Sequence, residues 1–442
     1  MAIDIFTADF RAAPWWWDDC RTPEEPRADL PRAVDVLVVG GGYAGVHCAL
    51  TLAEGGRDVL VLDAERLGWG ASSRNGGQIT GGVNVGKIPG GGNATKSAAA
   101  EQRQAILRDA AAGLRHLEAT IERHQIQCGL HRTGRLTALW TADHWKGWQD
   151  RLDDLNRYSD AEARMIDAKS MADEIGSDFY RGGVVIGRAG HLQPAQLHAG
   201  LLAAARRAGA KAQGSTRVTA IMRQRDGDWK VETSRGSLTA ETVVVATNGY
   251  TGRLVGPLHR QVIPVTTHMI ATEELPADLA KSLLPSNRAV SETRRVINHF
   301  RLSPNGRRLL FGGRARFFPA AEQVTAAILH RAMLQRFPQL AGVRISHSWG
   351  GRVAVPFDYM PHIGQHDGVH YALGCNGSGV VMMNWLGHGI AQKILNGTSD
   401  RVNAFDTGTM PTHPLFHGKP WFLPIVGTYY QARDWLDRRL AA

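Results

Sequence analysis

Hydrophobic residues near the start of the chain form two short runs, at residues 34–39, where Asp35 is the one polar position, and at residues 59–62. Nearly continuous apolar runs of this length predict parallel strands buried on both faces. The stretch between them has helical character. A strand, a helix and a strand in this order predict a βαβ unit.

Apolar patterns farther along the chain predict the rest of an α/β protein. Over residues 98–124 the apolar spacing alternates between three and four, which predicts an amphipathic helix whose core-facing stripe is Leu107, Ala110, Leu114, Leu117 and Ile121. Other predicted elements are a strand pair at 209–229, a buried parallel strand at 243–245, antiparallel strands of a second domain at 262–265 and 309–313, and helices near 320–336 and at 380–395.

The turn after the first strand carries a GxGxxG pattern, residues 40–45, and the second strand ends at Asp63. Gly40 permits the tight turn, Gly42 lets the backbone approach a pyrophosphate, and Gly45 lets the helix pack on the strand. The helix N-terminus offers unpaired N–H groups to phosphates, and Asp63 can accept a hydrogen bond from a ribose hydroxyl. The pattern predicts a dinucleotide site; a purely structural glycine turn is the alternative.

A second glycine-rich loop, residues 374–379, lies between a strand predicted at 369–373 and the helix at 380–395. It directs another helix N-terminus, and so another positive pole, out of a loop. A single nicotinamide cofactor does not require two such units at opposite ends of one chain. One long cofactor explains both, with its pyrophosphate at the first unit and its redox-active ring at the second.

Size and composition narrow the class of protein. A chain of 442 residues with 43% hydrophobic and 21% charged residues predicts two or more globular domains, and no apolar run is long enough to span a membrane. The net charge of +10 is spread along the chain without a nucleic-acid-binding motif, which favours small anionic ligands over nucleic acid. Four scattered cysteines without a CxxC pair predict reduced thiols and a cytoplasmic location.

Trp15, Trp16 and Trp17 stand together in a proline-rich N-terminal arm. Three adjacent indoles cannot all face one side of a helix or strand, so we expect them to anchor the arm on the body or at a subunit contact. A part in substrate binding is the alternative.

The most specific motif is residues 68–78, Gly-Trp-Gly-Ala-Ser-Ser-Arg-Asn-Gly-Gly-Gln. It is accompanied by the βαβ unit at 35–63, by short motifs at 190–194, 300–302, 310–313, 337–340, 359–364, 376–380 and 427–430, and by Arg433. Together they resemble the glycine oxidase and D-amino-acid oxidase superfamily of FAD-dependent oxidoreductases, and within it the gamma-glutamylputrescine oxidoreductases. The resemblance covers nearly the whole chain.

The resemblance implies an α/β fold with a discontinuous Rossmann-like FAD-binding domain and an α+β substrate domain built on a mainly antiparallel sheet. The expected division is an N-terminal arm at 1–30, an FAD-binding domain at 31–90, 160–250 and 345–400, a substrate domain at 91–159 and 251–344, and a C-terminal extension at 401–442.

The implied activity is oxidation of a C–N bond in an amine or amino acid, by hydride transfer to flavin N5 and hydrolysis of the resulting imine. Some relatives tether FAD through a Cys or His. No Cys lies at the positions associated with that bond, so FAD is expected to be non-covalent. Oxygen and a carrier protein are both open as electron acceptors. The alternatives are a D-amino-acid, sarcosine-like or cyclic-imino-acid oxidase or dehydrogenase, a nicotinamide-dependent dehydrogenase, and a non-catalytic flavin-binding protein.

The resemblance also implies which residues hold FAD. Val218 would contact adenine through its main chain, and backbone N–H groups of 376–379 would donate to the N1–C2=O edge of the flavin. The pyrophosphate or the near side of the ring would be contacted by Ser72, Arg74, Asn75 and Gly76. The full expected set is Gly40, Gly42, Tyr43, Ala44, Gly45, Asp63, Ala64, Gly70, Ala71, Ser72, Arg74, Asn75, Gly76, Gly77, Gln78, Val218, Thr247, Asn248, Gly249, Asn376, Gly377, Ser378, Gly379 and Val380.

Three residues are expected to act on the substrate. Arg352 corresponds to a family position that holds a substrate carboxylate, a task for which the guanidinium fork is suited; a surface or pyrophosphate-binding role is the alternative. His299 could deprotonate the amine, because histidine titrates near neutrality, or could simply be packed and hydrogen-bonded. Gln78 would face the ring. His191 and His268 are expected to be structural.

Overall fold

The computed structural model describes residues 5–20, 28–81, 96–318, 320–398 and 400–440. The strands in these ranges are β1 (Phe6–Arg11), β2 (Ala33–Val39), β3 (Val59–Leu62), β4 (Gln78–Thr80), β5 (Arg135–Ala138), β6 (Ala163–Ile166), β7 (Gly183–Ile186), β8 (Ala189–His191), β9 (Lys211–Gln213), β10 (Val218–Arg223), β11 (Trp229–Thr233), β12 (Gly236–Val245), β13 (Val262–Thr272), β14 (Ala289–Glu292), β15 (Asn298–Leu302), β16 (Leu309–Gly313), β17 (Ile345–Pro356), β18 (His362–His366) and β19 (Val369–Leu373). The helices are α1 (Trp16–Asp19), α2 (Tyr43–Glu54), α3 (Lys96–Arg123), α4 (His144–Ser159), α5 (Pro194–Arg207), α6 (Ala277–Leu283), α7 (Glu322–Arg336), α8 (Gly379–Asn396) and α9 (Leu423–Leu440).

An eight-stranded sheet contains the predicted βαβ unit. Its order is β10-β11-β12-β2-β3-β9, and β19 pairs with β12 and carries β18 on its other side. Strands β9, β3, β2, β12 and β19 run parallel, whereas β10 and β11 form an antiparallel hairpin at one edge. The hydrophobic side chains of the runs at 34–39, 59–62 and 243–245 are buried in these parallel strands, as predicted.

A nine-stranded sheet of order β1-β17-β13-β16-β15-β14-β5-β7-β6 forms the second structural unit. Only the β1–β17 and β14–β5 pairs are parallel. Strand β13 pairs antiparallel with both β16 and β17, which confirms the antiparallel strands predicted at 262–265 and 309–313.

Helices cover both sheets and bury separate cores. Helices α2, α3, α5 and α8 pack on the eight-stranded sheet, and all five residues of the predicted α3 stripe are buried. Helices α6 and α7 pack on the nine-stranded sheet. The expected fold class, α/β with a parallel sheet and a second mainly antiparallel sheet, is confirmed. None of the described helices combines the length and the apolarity needed to cross a membrane.

The chain passes between the two sheets more often than the expected domain ranges imply. Residues 160–250 and 345–400 are expected in the FAD-binding domain, yet β6, β7 and β17 pair within the nine-stranded sheet. Conversely, α3 falls in a range expected for the substrate domain and packs into the core of the eight-stranded sheet. Each segment packs with the sheet that buries its apolar side. The order of the segments along the chain does not show which of the two sheets that is.

The tryptophans of the N-terminal arm anchor it to the body, as expected. Trp15 and Trp16 are buried, and the ring of Trp16 packs edge-on against Trp349 with centroids 6.4 Å apart. Trp17 points elsewhere, and its Nε1 donates to Ser73 Oγ at 2.8 Å. The arm also contributes β1, which extends the nine-stranded sheet beside β17.

Candidate active site

One long cavity runs from the carboxyl ends of the parallel strands to the face of the nine-stranded sheet. Its volume is about 1570 Å³, above the roughly 300–1,000 Å³ of most small-ligand pockets. Residues 39–44, 62–65, 68–72, 217–221 and 246–248 line the near end, and residues of β13, β17, α7 and the segments after β16 and before α9 line the far end. The cavity has room for a long cofactor together with a second small molecule.

The near end is built around the glycine turn between β2 and α2. Gly40 has φ of +108°, and a Cβ there would lie 2.8 Å from Ala246 O. A Cβ on Gly45 would lie 1.9 Å from Gly40 O, so α2 can approach β2 only with glycine at that position. Gly42 is the N-cap of α2 and has no side chain that could cap the helix. Ser72 accepts from Tyr43 N, and the other N–H groups of the first turn can face an anionic ligand.

Asp63 stands at the end of β3 and holds the turn in place. Its Oδ2 accepts from Gly41 N at 2.7 Å and its Oδ1 accepts from Glu65 N at 2.9 Å. Burial raises the pKa of this carboxyl group, although the two backbone donors oppose the shift. The carboxylate lines the cavity opposite the β10 edge that carries Val218, so a ligand entering here meets both.

Residues 68–78 form a rigid floor between the two sheets. Ser72 Oγ accepts from Tyr43 N at 2.9 Å, which ties this floor to the start of α2. Arg74 donates through Nε to Trp69 O at 2.7 Å and through Nη1 to Gly350 O at 3.2 Å. Its guanidinium also lies 4.6 Å from the ring centroid of Trp69, and burial lowers its pKa.

The N-termini of α2 and α8 face the same end of the molecule. A Cβ on Gly387, in the middle of α8, would lie 2.3 Å from Ala44 O at the start of α2, and Gly55 at the end of α2 meets Leu395 near the end of α8. The two helices therefore run in the same direction. Helix α8 begins about 10 Å beyond α2, at 1.5 Å per residue. Its N-terminus also has no side-chain cap.

The loop before α8 is held by two asparagines. Asn248 Oδ1 accepts from Gly374 N at 3.0 Å and from Cys375 N at 3.4 Å. Asn376 Nδ2 donates to Tyr359 O at 2.8 Å. Both asparagines have positive φ, a left-handed backbone conformation that asparagine adopts more readily than most residues.

One face of the nine-stranded sheet forms the far wall. Thr266 and His268 of β13 pair with Arg352 and Gly350 of β17, and all four line the cavity. Burial lowers the pKa of His268 to about 4. Glu322, at the start of α7, closes this wall, because a Cβ on Gly350 would lie 3.5 Å from Glu322 Oε1.

The far end combines several cations with one half-buried carboxyl group, that of Glu322. Arg314, Arg316 and Arg352 line the cavity, and none forms an ion pair with a carboxylate in the part of the chain that the structure describes. Burial lowers the pKa of Arg314 and raises the pKa of Glu322. Because no carboxylate among the described residues neutralises these guanidinium groups, this end favours a ligand that supplies negative charge.

His299 and Gln78 lie outside the described cavity wall. His299, on β15, packs against Gly76 and Gly312, and burial, with a smaller effect of the charge of Arg135, lowers its pKa to about 4. The near-neutral pKa expected from sequence is therefore absent. Gln78 Nε2 donates to the backbone oxygen of Val290 at 3.3 Å, so its side-chain amide is bonded to β14 of the nine-stranded sheet.

The structure brings together about half of the expected residues as cavity lining. These are Gly40, Gly42, Tyr43, Ala44, Asp63, Ala64, Gly70, Ala71, Ser72, Arg74, Val218, Thr247, Asn248 and Arg352. The others stand behind or beside the described wall: Gly45, Asn75, Gly76, Gly77, Gln78, Gly249, His299, Asn376, Gly377, Ser378, Gly379 and Val380. Asn75 is a support, since its Nδ2 donates to Ala71 O and its Oδ1 accepts from Gly77 N.

Several cavity residues have no counterpart in the sequence predictions. The charged ones are Arg314, Arg316, Glu322 and Lys419, together with Glu65, Arg217 and Arg253. His268 was expected to be structural only. The one available signal is the Arg-Ala-Arg-Phe-Phe run directly after β16, in which basic residues alternate at the exit of a strand.

Comparisons with known proteins agree with this geometry. Residues 35–393 match the family described as FAD dependent oxidoreductase. The chain is 33% identical over 407 residues to gamma-glutamylputrescine oxidoreductase of Escherichia coli (strain K12), covering 90% of this chain and 92% of that protein. It is 30% identical over 426 residues to the probable oxidoreductase OrdL of Rhizobium meliloti (strain 1021), covering 95% and 97%.

The solved structure of glycine oxidase from Geobacillus kaustophilus has the same fold, with a TM-score of 0.70, 20% identity, and coverage of 87% of this chain and 100% of that one. With the family match over most of its length, and a cavity bounded by a glycine turn at the start of α2, the chain belongs to the DAO family of FAD-dependent oxidoreductases.

Proposed function

We propose that the protein oxidises the C–N bond of a small amine that carries a carboxylate, with non-covalently held FAD as the first electron acceptor. The observation that supports this most directly is the far end of the cavity. There Arg314, Arg316 and Arg352 lack carboxylate partners among the described residues and share the space with Glu322. Guanidinium groups suit a carboxylate, and a carboxylate suits an ammonium group.

The near end of the cavity has the features that FAD requires. In this proposal the pyrophosphate lies at the N-terminus of α2, the adenosine ribose at Asp63 and the adenine beside Val218. The ring then reaches toward the N-terminus of α8, a second positive pole suited to negative charge on a reduced ring. When bound, FAD supplies a two-electron acceptor at N5 for the C–H bond next to nitrogen.

The residues of the far wall would position the substrate. Gly350 and Arg352 share one face of β17 and are about 7 Å apart along the strand. Glu322 lies beside Gly350, so the two opposite charges are separated along the wall. A substrate that binds through a carboxylate at Arg352 would direct a cationic nitrogen toward Glu322. The amine must lose its proton before its C–H bond is oxidised, so activity should rise with pH.

Similarity to gamma-glutamylputrescine oxidoreductase supports a carboxylated amine over a plain diamine as the substrate. Gamma-glutamylputrescine, which that protein's name gives as its substrate, joins an amine chain to a glutamyl group that bears a carboxylate. A cytoplasmic location is proposed from the four cysteines, all of which are unpaired. The electron acceptor that reoxidises the flavin is either oxygen or a carrier protein.

Anaerobic mixing of the yellow protein with a panel of amines tests the proposal. We expect carboxylated amines to bleach the flavin absorbance faster than the same amines with the carboxylate converted to an amide. Admission of oxygen would then show whether reoxidation needs a carrier protein. If dithionite bleaches the flavin and no amine or amino acid does, the protein binds flavin without this activity.

A further inference from the structure

Three histidines from three helices meet on the side of α2 and α8 away from the large cavity. His47 lies on α2, His116 on α3 and His388 on α8. One ring nitrogen of each lies within 4.8 Å of the other two. In the described part of the chain no other group of three or more His, Cys, Asp and Glu side chains converges in this way. None of the three lines the large cavity.

The buried member of this histidine trio is held with one nitrogen directed at the others. His47 Nδ1 lies 3.0 Å from Asn384 Oδ1, and Asn384 Nδ2 donates to Val380 O at 2.6 Å. The asparagine therefore presents its oxygen to His47, so Nδ1 carries the proton. Nε2 then points a lone pair at His116 Nε2, 2.8 Å away. Metal-binding histidines are commonly oriented by such an acceptor on the opposite nitrogen.

The other two members are partly exposed and are also restrained. His388 Nδ1 lies 3.2 Å from Thr51 Oγ1, and its Nε2 makes no hydrogen bond to a described residue. The rings of His116 and His388 have centroids 4.1 Å apart, and Trp385 packs beside both. An ion can therefore reach the trio from solvent on the side opposite His47.

The three rings are neutral at physiological pH. Burial and the nearness of the other rings lower the pKa of His47, and burial lowers the pKa of His116 to about 4 and that of His388 as well. Neutral imidazole is the form that binds a metal ion. The nearest cation, Arg123, pairs with Glu54 at 3.5 Å.

We propose that the histidine trio binds one divalent transition-metal ion, of which Zn²⁺ is the representative, with water in the fourth position. Zn–N bonds of about 2.0–2.1 Å at tetrahedral angles place ligand nitrogens about 3.3–3.4 Å apart. His47 and His116, 2.8 Å apart, must separate by about half an ångström, and the pairs that include His388, which lie within 4.8 Å, must reach the same spacing. Rotations of the rings supply both changes. The ion replaces their hydrogen bond, and the proton of His116 moves from Nε2 to Nδ1.

The site would hold α2, α3 and α8 together. In the proposed function FAD extends from the N-terminus of α2 toward that of α8, so a bound ion would maintain the relative position of the two helices from the outer side. This role does not depend on the substrate proposed above, because the trio and the cavity share no residue.

Metal analysis of the untagged, flavin-containing protein tests the site. After treatment with a chelator and dialysis against Zn²⁺, we expect one ion per chain by mass spectrometry of the metal. The melting temperature should rise by about 3 °C when free Zn²⁺ is 100-fold above its Kd. His116→Ala and His388→Ala should each weaken Zn²⁺ binding at least tenfold. His366→Ala, which removes a partly exposed histidine paired with Asp367, is the matched control and should bind normally.

Absence of stoichiometric Zn²⁺ in the wild-type protein would overturn the proposal. So would unchanged Zn²⁺ affinity in both trio variants, or an equal loss in His366→Ala. The flavin spectrum of each variant verifies folding. A protein without amine oxidase activity that still binds one Zn²⁺ would disprove the proposed function and leave this site intact.

Discussion

Replacement of Arg352 by alanine isolates the group assigned to the substrate carboxylate. The guanidinium is exposed to the cavity and forms no ion pair with a described residue, while its backbone N lies 3.4 Å from Tyr250 Oη and its strand pairing uses only the main chain. The substitution therefore leaves the sheet intact. We expect the free energy of unfolding to change by less than about 0.5 kcal/mol, as is usual for exposed positions.

The size of the kinetic effect follows from the hydrogen bonds lost. Two charge-assisted bonds from one guanidinium to a carboxylate are worth about 2–3 kcal/mol in total when the group starts exposed to water. At about 1.4 kcal/mol per tenfold change, kcat/KM should fall by about 30- to 150-fold for a carboxylated amine. For the same amine without the carboxylate it should change by less than about twofold.

Stopped-flow reduction of the flavin under anaerobic conditions measures both rates. Arg352→Lys should recover part of the loss, because lysine keeps the charge without the planar fork. Arg401→Ala, at an exposed arginine outside the cavity, is the control and should behave as the wild type. An equal loss for both substrates in Arg352→Ala, or no loss for either, would refute the assignment of Arg352 to the carboxylate.

Three further predictions concern the cofactor, the amine and acid stability. Gly40→Ala should yield protein with little bound flavin, because the new Cβ would lie 2.8 Å from Ala246 O at a φ of +108°; full flavin content by absorbance would contradict this. Burial raises the pKa of Glu322 above its usual value, so its negative charge is lost as the pH falls through that raised pKa. Glu322→Gln should remove this acidic limb from the pH profile of kcat/KM, and a limb that persists would assign it to another group. Burial lowers the pKa of His198 to about 4, whereas an unfolded histidine titrates near 6.5. The unfolded chain therefore binds this proton first as the pH falls, and His198 alone should account for a loss of about 2 kcal/mol of unfolding free energy between pH 7 and pH 5. Urea unfolding at both values measures the loss, which His198→Gln should reduce; an identical loss in the variant would contradict it.

The near end of the cavity could be predicted because its chemistry is local in sequence. The glycine turn, the acid that ends the next strand and the motif containing Ser72 and Arg74 all lie between residues 40 and 78. Their spacing is set by one strand, one helix and one strand, whose geometry hardly varies between proteins. The hydrophobic runs place these strands in a parallel sheet.

The far end could not be predicted, because its residues meet only through the pairing of distant strands. Glu322 and Arg352 are 30 positions apart and lie together because α7 packs beside β17. His299 was expected to act on the substrate, but it lies outside the cavity wall. A histidine in a strand can face a cavity or the neighbouring glycines, depending on which face of the sheet other elements cover. The alternation of polar and apolar residues along the strand does not reveal which face that is.

The domain ranges differ from the observed sheets for a related reason. The α3 helix has a clear apolar stripe, yet that stripe fits either sheet equally well on sequence grounds. Strand β17 lies at the start of residues 345–400, which were expected in the FAD-binding domain. It pairs instead with β13 of the nine-stranded sheet, and this pairing places Gly350, Gly351 and Arg352 on the wall of the cavity. Long-range register, rather than local propensity, decides both positions.

A crystal structure of the flavin-containing protein tests most directly whether one FAD spans the N-termini of α2 and α8. We expect the pyrophosphate to accept hydrogen bonds from the backbone N–H groups of Gly42 and Ala44, and the ring to lie between the residue 374–378 loop and the wall formed by β13 and β17. A flavin bound elsewhere, or a pyrophosphate away from the α2 N-terminus, would contradict the proposed use of both helices.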